Sequence, residues 1–281
     1  MILHLDPHFK PLDGAEITFQ SFTFAGGEPH IKINPDFDRT QPVTVTHRLN
    51  SFYDLGILCL AADALRRMDV ELEQLIIPYF PSARQDRVMI KGEPLSVKVY
   101  ADMINALGFK KVTVFDVHSE VTPALLNRCN AVPNHRFIQE VIRQIGNPPL
   151  LISPDGGALK KIYKVSEFLN GLEVVECSKH RDVKTGRLEG FKVYADDLNG
   201  RDCLVVDDIC DGGGTFIGLA AELKKKQAGK LYLAVSHGIF SKGIEDLAVC
   251  FDHIFTTNSF RELTHDRSEE RRVGKECRSR W

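Results

Sequence analysis

Two hydrophobic periodicities alternate along the chain, and their alternation predicts the architecture. In the first 48 residues apolar and polar positions exchange every second residue, in AEITFQSFTF, GGEPHIKI and QPVTVTHRL, the pattern of strands separated by turns. Phe52 to Met68 is then apolar at helical spacing and closes on Arg66 and Arg67, cations suited to a helix C-terminus. Leu75 to Pro78 reads as a short buried strand, Leu95 to Leu107 as a helix stopped at Gly108, and Val112 to Phe115 as a strand. The alternation restarts with a helix over Phe137 to Ile145, a break at Asn147-Pro148-Pro149, a strand over Leu150 to Ile152 and a helix after SPDGG. A strand over Leu172 to Glu176 precedes the charged, glycine-bearing stretch CSKHRDVKTGRLEG, which reads as a mobile flap or hairpin. The apolar run Leu204 to Val206 leads through acids and glycines to a helix opening at Thr215. Strands over Leu231 to Val235 and Phe251 to Phe255 follow, with a helix over Gly243 to Leu247 between them. Strands alternating with helices predict an α/β protein of two halves, each with a mostly parallel, doubly wound sheet, divided as 1–133 and 134–266.

A length of 281 residues suits one large or two smaller domains, and 43% hydrophobic with 26% charged residues is ordinary for a soluble globular chain. A formal charge of -2 argues for neither nucleic acid nor membrane as a partner. No apolar run has the length of a bilayer span, and MILHLDPHFK lacks the basic and apolar regions of a secretory signal. Seven scattered cysteines without a CxxC pair point to reduced, buried thiols and a cytoplasmic protein.

The polar clusters carry the chemistry. In open parallel sheets ligands bind beyond the carboxyl ends of strands, and there the chain repeatedly places charge: ARQDR, DVHSE, SPDGG, DDICDGGGT and SHG. The glycines of DDICDGGGT let backbone N–H groups approach phosphate oxygens, and the helix start adds unpaired donors and a favourable dipole. Asp207 and Asp208 can accept hydrogen bonds from vicinal sugar hydroxyls, and Thr215 can cap the helix and donate to a phosphate. Cys210 reads as a small spacer, since no base is evidently paired with it. Arg84 and Arg87 flank Gln85 and Asp86, and arginine suits bidentate phosphate recognition and stacking on a base. His118 can serve as metal ligand, phosphate donor or core histidine, and its local sequence does not choose. Asp155 can hold Mg²⁺, the hard cation that accompanies phosphates. Lys179 and Arg181, one residue apart in an extended segment, project to one side, where two cations can close on a polyphosphate. There is no GxxxxGK[ST], no GxGxxG in register, no HExxH and no nucleophile elbow.

In this order the clusters resemble the ribose-phosphate pyrophosphokinase (phosphoribosyl pyrophosphate synthetase) family over roughly residues 15–260. DDICDGGGT resembles its phosphoribosyl-binding signature, PYFPSARQDR its ATP-binding segment, DVHSE its metal-histidine segment, SPDGG its aspartate segment and SKHR its catalytic loop. The resemblance implies two phosphoribosyltransferase-like α/β domains and transfer of the diphosphoryl group of ATP to the 1-hydroxyl of ribose 5-phosphate. It implies sugar hydroxyls on Asp207 and Asp208, and the 5-phosphate on Asp211, Gly213, Gly214 and Thr215. ATP would contact Arg84, Gln85 and Asp86, Mg²⁺ would lie near His118 and Asp155, and Lys179 and Arg181 would stabilise the moving group. It also implies a homo-oligomer in which a neighbouring subunit completes the adenine site through FAGGE, with Glu28, where Gly26 replaces the family's usual Asp. Two other readings are a phosphoribosyltransferase, which leaves ARQDR, DVHSE and SKHR without roles, and a non-catalytic synthetase-associated subunit, against which His118, Lys179 and Arg181 speak. Finally, RRVGKECRSRW resembles translated adaptor sequence, so 267–281 is expected to be a non-native or disordered tail that leaves a sheet edge or a hydrophobic face of the second domain uncovered.

Overall fold

The computed structural model describes residues 1–181, 188–263 and 268–271. The described residues form two units, Met1–Pro133 and Asn134–Arg271.

In the first unit the chain runs β1 (Ile2–His4), β2 (Phe19–Thr23), β3 (Pro29–Ile33), β4 (Val43–Thr46), α1 (Phe52–Arg67), β5 (Leu72–Ile77), α2 (Ser96–Ala106), β6 (Lys111–Phe115), α3 (Val121–Leu125) and β7 (Cys129–Val132). Five strands form a parallel sheet in the order β1-β4-β5-β6-β7, while β2 and β3 pair antiparallel as a separate hairpin. The sheet strands read as apolar runs because they are covered: Val43, Val45, Leu75, Ile77, Val112 and Val114 are all buried. Over them pack Leu55, Leu58 and Leu65 of α1 and Val97, Ala101 and Ile104 of α2. Ser51 caps α1 by accepting the Asp54 N–H at 3.2 Å, and Ser51 Oγ lies 2.9 Å from Asp54 Oδ2 in return, so both partners are satisfied at the helix start. Strand β1, helix α3 and strand β7 had no counterpart in the sequence reading; they are three to five residues long, too short to display a period.

The second unit runs α4 (His135–Ile145), β8 (Leu150–Ser153), α5 (Leu159–Phe168), β9 (Val174–Arg181), β10 (Leu188–Val193), β11 (Cys203–Cys210), α6 (Gly214–Lys225), β12 (Leu231–Gly238), α7 (Glu245–Cys250), β13 (His253–Thr257) and β14 (Ser268–Arg271). The sheet order is β10-β9-β8-β11-β12-β13-β14, and every pairing is parallel except β9 with β10. Strand β11 sits at the centre, with Leu204, Val205 and Val206 buried. The expected flap is a hairpin of β9 and β10, whose connecting residues 182–187 lie outside the described residues. Of the tail expected to be non-native or disordered, 268–271 are ordered as β14, parallel to β13, so the edge of β13 is paired rather than bare. A strand edge presents a row of unpaired N–H and C=O groups that templates any extended segment within reach. The rest of that tail, 272–281, lies outside the described residues. Among the described residues no helix is long and apolar enough to cross a membrane.

Candidate active site

In the second unit the carboxyl ends of β8, β9 and β11 bring together groups that are far apart in sequence. Asp207 and Asp208 follow the apolar run Leu204 to Val206 within β11, and because neighbouring strand residues face opposite sides their side chains leave the backbone in different directions. The Asp208 N–H donates to Asp207 Oδ1 at 2.9 Å. Burial, the Asp208 carboxyl beside it and the nearby Asp155 push the Asp207 carboxyl well above the usual carboxylate range. Lys161 of α5 reaches Asp208, with its Nζ 3.2 Å from Oδ2.

Asp155 follows β8. Its Oδ1 accepts the N–H groups of Gly157 (2.8 Å) and Ala158 (3.1 Å), which holds the turn into α5, and Lys179 Nζ of β9 donates to its Oδ2. Burial raises the Asp155 carboxyl, but the Lys179 ammonium and the two backbone donors outweigh it and leave the group below its ordinary value. The site thus gathers the carboxyls of Asp155, Asp207 and Asp208 and the ammoniums of Lys161 and Lys179. Arg181 lies two residues beyond Lys179 on β9, as the sequence reading required, but its side chain is outside the described residues.

Beyond β11 the chain turns at Asp211 and Gly212 and enters α6. Here the reading of Thr215 as helix cap is corrected: the cap position is Gly213, left-handed at φ 75°, without a side-chain cap bond, and Thr215 is the second helical residue. A side chain on Gly213 would meet Leu247 of α7 at 3.2 Å, so glycine is required there for both conformation and space. The first intrahelical bonds are donated by Phe216 and Ile217 to the Gly213 carbonyl, which leaves the N–H groups of Gly214 and Thr215 ahead of any carbonyl in the helix. The turn is anchored from the next strand end, since Ile239 and Phe240 donate to the Cys210 carbonyl and Ser241 to that of Asp211. Cys210 is buried, and burial with Asp207 and Asp211 pushes its thiol up to about 12, so it is a protonated packing group as the sequence reading held.

The SHG end of β12 and residues 256–259 at the end of β13 bond to each other. Thr257 Oγ1 and Ser259 Oγ both donate to the Ser236 carbonyl, and His237 Nδ1 lies 2.7 Å from Ser259 Oγ, all in buried surroundings. Two contributors escaped the sequence reading. Gly218 of α6 lets that helix pack on the hairpin, because a Cβ there would fall 2.4 Å from the Phe191 ring of β10. Lys161 lies in the first turn of a helix, where a cation opposes the helix dipole; that misplacement was the available signal.

In the first unit a second cluster forms at the carboxyl ends of the adjacent strands β5 and β6. Arg84 and Gln85 are exposed, while Asp86 turns inward. Burial raises the Asp86 carboxyl, and hydrogen bonding from Ser119 and Arg87 with the nearby His118 outweighs this and leaves it low. His118 is exposed, which removes the core-histidine reading. Glu28 lies at the tip of the β2–β3 hairpin, where a Cβ on Gly26 would fall 2.6 Å from Glu28 Oε2. Phe22, Phe24 and His30 cluster on the same hairpin, with the two phenylalanine rings 4.9 Å apart and both about half exposed. Among the described residues no group of three or more His, Cys, Asp or Glu side chains is arranged to hold a metal ion.

Comparison with known proteins places these clusters in a family context. Residues 16–108 match the family model for the N-terminal domain of ribose phosphate pyrophosphokinase, and residues 132–263 match the phosphoribosyl transferase domain. The chain is 34% identical over 244 residues to the ribose-phosphate pyrophosphokinase of Thermococcus kodakarensis, covering 84% of this chain and 83% of the relative. It is 30% identical over 262 residues to that of Pyrococcus furiosus, covering 91% and 90%. The fold matches the crystal structure of phosphoribosylpyrophosphate synthetase from Mycobacterium smegmatis with a TM-score of 0.83 at 22% identity, over 98% of this chain and 94% of that one.

Proposed function

Because the chain belongs to the ribose-phosphate pyrophosphokinase family, we propose that it transfers the diphosphoryl group of ATP to the 1-hydroxyl of ribose 5-phosphate. The products are 5-phosphoribosyl 1-diphosphate and AMP. The observation that carries this reading is the pairing of Asp207 and Asp208, in the second half of β11, with a glycine-opened helix start. Such a pair accepts from two adjacent sugar hydroxyls, while the N–H groups of Gly214 and Thr215 and the positive end of α6 receive the 5-phosphate. Asp211 and Gly213 shape the turn around it.

The sugar oxygen attacks the β-phosphorus, the bond from that phosphorus to the α–β bridging oxygen breaks, and AMP departs. Charge accumulates on the transferring oxygens, so positioned cations supply most of the catalysis. Lys179 is within reach of this role, being already drawn into the site by Asp155, and Arg181 two residues on is its partner. Arg84 and Gln85 present an exposed cation and amide suited to a nucleotide, and the inward Asp86 braces the segment. Mg²⁺ prefers oxygen donors, keeps several waters and is held through one or two carboxylates plus substrate phosphates. Asp155 offers such a carboxylate in the second unit and His118 an exposed imidazole in the first, and each is a candidate donor to an ion carried by the nucleotide's phosphates. When bound, that ion neutralises charge on the phosphate oxygens.

A phosphoribosyltransferase is not favoured, since ARQDR, DVHSE and SKHR have no task in it. The exposed Phe22 and Phe24 rings support a homo-oligomer in which a second copy covers the hairpin. The test is incubation with ATP, Mg²⁺ and ribose 5-phosphate, followed by separation of the nucleotides. AMP accumulating in step with 5-phosphoribosyl 1-diphosphate is expected; folded protein that forms no AMP refutes the reading.

A further inference from the structure

The best-supported new role belongs to Lys161. It occupies the third position of α5, a helix whose first turn contains no acid and whose cap residue, Ala158, makes no side-chain cap bond. An ammonium at that end of a helix is unfavourable unless an anion lies beside it. Here the anion comes from a different element: Asp208 of β11, 47 residues on, with Nζ to Oδ2 at 3.2 Å. The carboxylate side chain is only 8% exposed against 33% for the lysine, so water contributes little to holding it. The other ammonium of the site, Lys179, is drawn to Asp155.

We infer that Lys161 is a positioning residue for the sugar phosphate, fixing the plane of the Asp208 carboxylate and so the direction from which it accepts a ribose hydroxyl. The inference rests on the reading of Asp207 and Asp208 as the hydroxyl-binding pair. The ammonium draws Oδ2 toward α5 and so favours one orientation of the Asp208 carboxylate. Helix α5 also starts from the turn that Asp155 holds, so one rigid element sets both Asp155 and Asp208. Lys161 acts through Asp208 and needs no contact with ATP, which separates its role from that proposed for Lys179.

The experiment compares wild type, Lys161→Met and Lys161→Arg for KM of each substrate, with calorimetric titration of ribose 5-phosphate alone. Losing one charge-assisted hydrogen bond that orients a ligand group is worth about tenfold to a hundredfold in affinity. The expected result is a rise of that size in the sugar-phosphate KM for Lys161→Met, an ATP KM within about twofold of wild type, and recovery of most of the loss in Lys161→Arg. An unchanged sugar-phosphate KM in Lys161→Met, or an equal rise in both KM values, overturns the inference. If Lys161→Met does not fold, Lys161→Arg decides: near-normal sugar affinity supports the role and a loss overturns it. If wild type forms no AMP, the proposed reaction fails and the calorimetric arm decides alone. Wild-type binding weakened about tenfold by Lys161→Met then still supports the inference, and absence of wild-type binding overturns it.

Discussion

Replacing Gly213 by alanine tests the view that the loop after β11 is built on one left-handed residue. Gly213 has φ 75°, and for a residue with a Cβ this conformation costs about 1–2 kcal/mol. The new methyl would also sit 3.2 Å from Leu247 Cγ and Cδ1 and 3.3 Å from Cδ2, closer than a comfortable contact. Leu247 is buried in α7 and cannot swing into solvent, so the overpacking adds about 1 kcal/mol or more. The total is about 2–3 kcal/mol, which lowers the melting temperature of a unit this size by roughly 4–10 °C. The matched control is Gly214→Ala: that residue is helical, and a Cβ there meets nothing within 4 Å. Alanine is the better helix former by about 1 kcal/mol, so its melting temperature should hold or rise. Thermal unfolding followed by circular dichroism reads both variants. Equal melting temperatures for Gly213→Ala and wild type, or a larger drop for Gly214→Ala, would refute the reasoning.

Two further outcomes follow from the electrostatics. The Asp207 carboxyl is raised in the folded chain, so between its ordinary value and the raised one the folded state binds the extra proton and the charged form works against folding as pH rises. Asp207→Asn should therefore raise the melting temperature at pH 7 while weakening ribose 5-phosphate binding, and a fall in melting temperature would contradict this. Asp155 is depressed, with the opposite sign: its stabilisation is complete above the ordinary carboxylate range and is lost as pH falls below it, through the lowered value. Lys179→Ala should move that loss to higher pH and remove most turnover while leaving sugar-phosphate binding in place; lost binding would mean that the hairpin is structural.

The sequence by itself determined the local and periodic features. Phe52 to Met68, Leu95 to Leu107 and the apolar runs ending in polar clusters are contained in contiguous residues, because helical and strand periods and turn residues act over a few positions. The order of the clusters likewise needed no coordinates, since each lies at the end of its own strand. What tertiary structure decided is which charges face each other. That Asp155 meets Lys179, 24 residues away, and Asp208 meets Lys161, 47 away, depends on β9, β8 and β11 lying side by side. Strand order is set by packing of whole faces, and no local pattern encodes it. The cap of α6 fell on Gly213 rather than Thr215, and the space that a side chain at 213 would need is taken by Leu247 of α7, a residue far away in the chain. Segment 268–271 became a strand because the edge of β13 offered it a partner, although its own sequence carries no strand pattern.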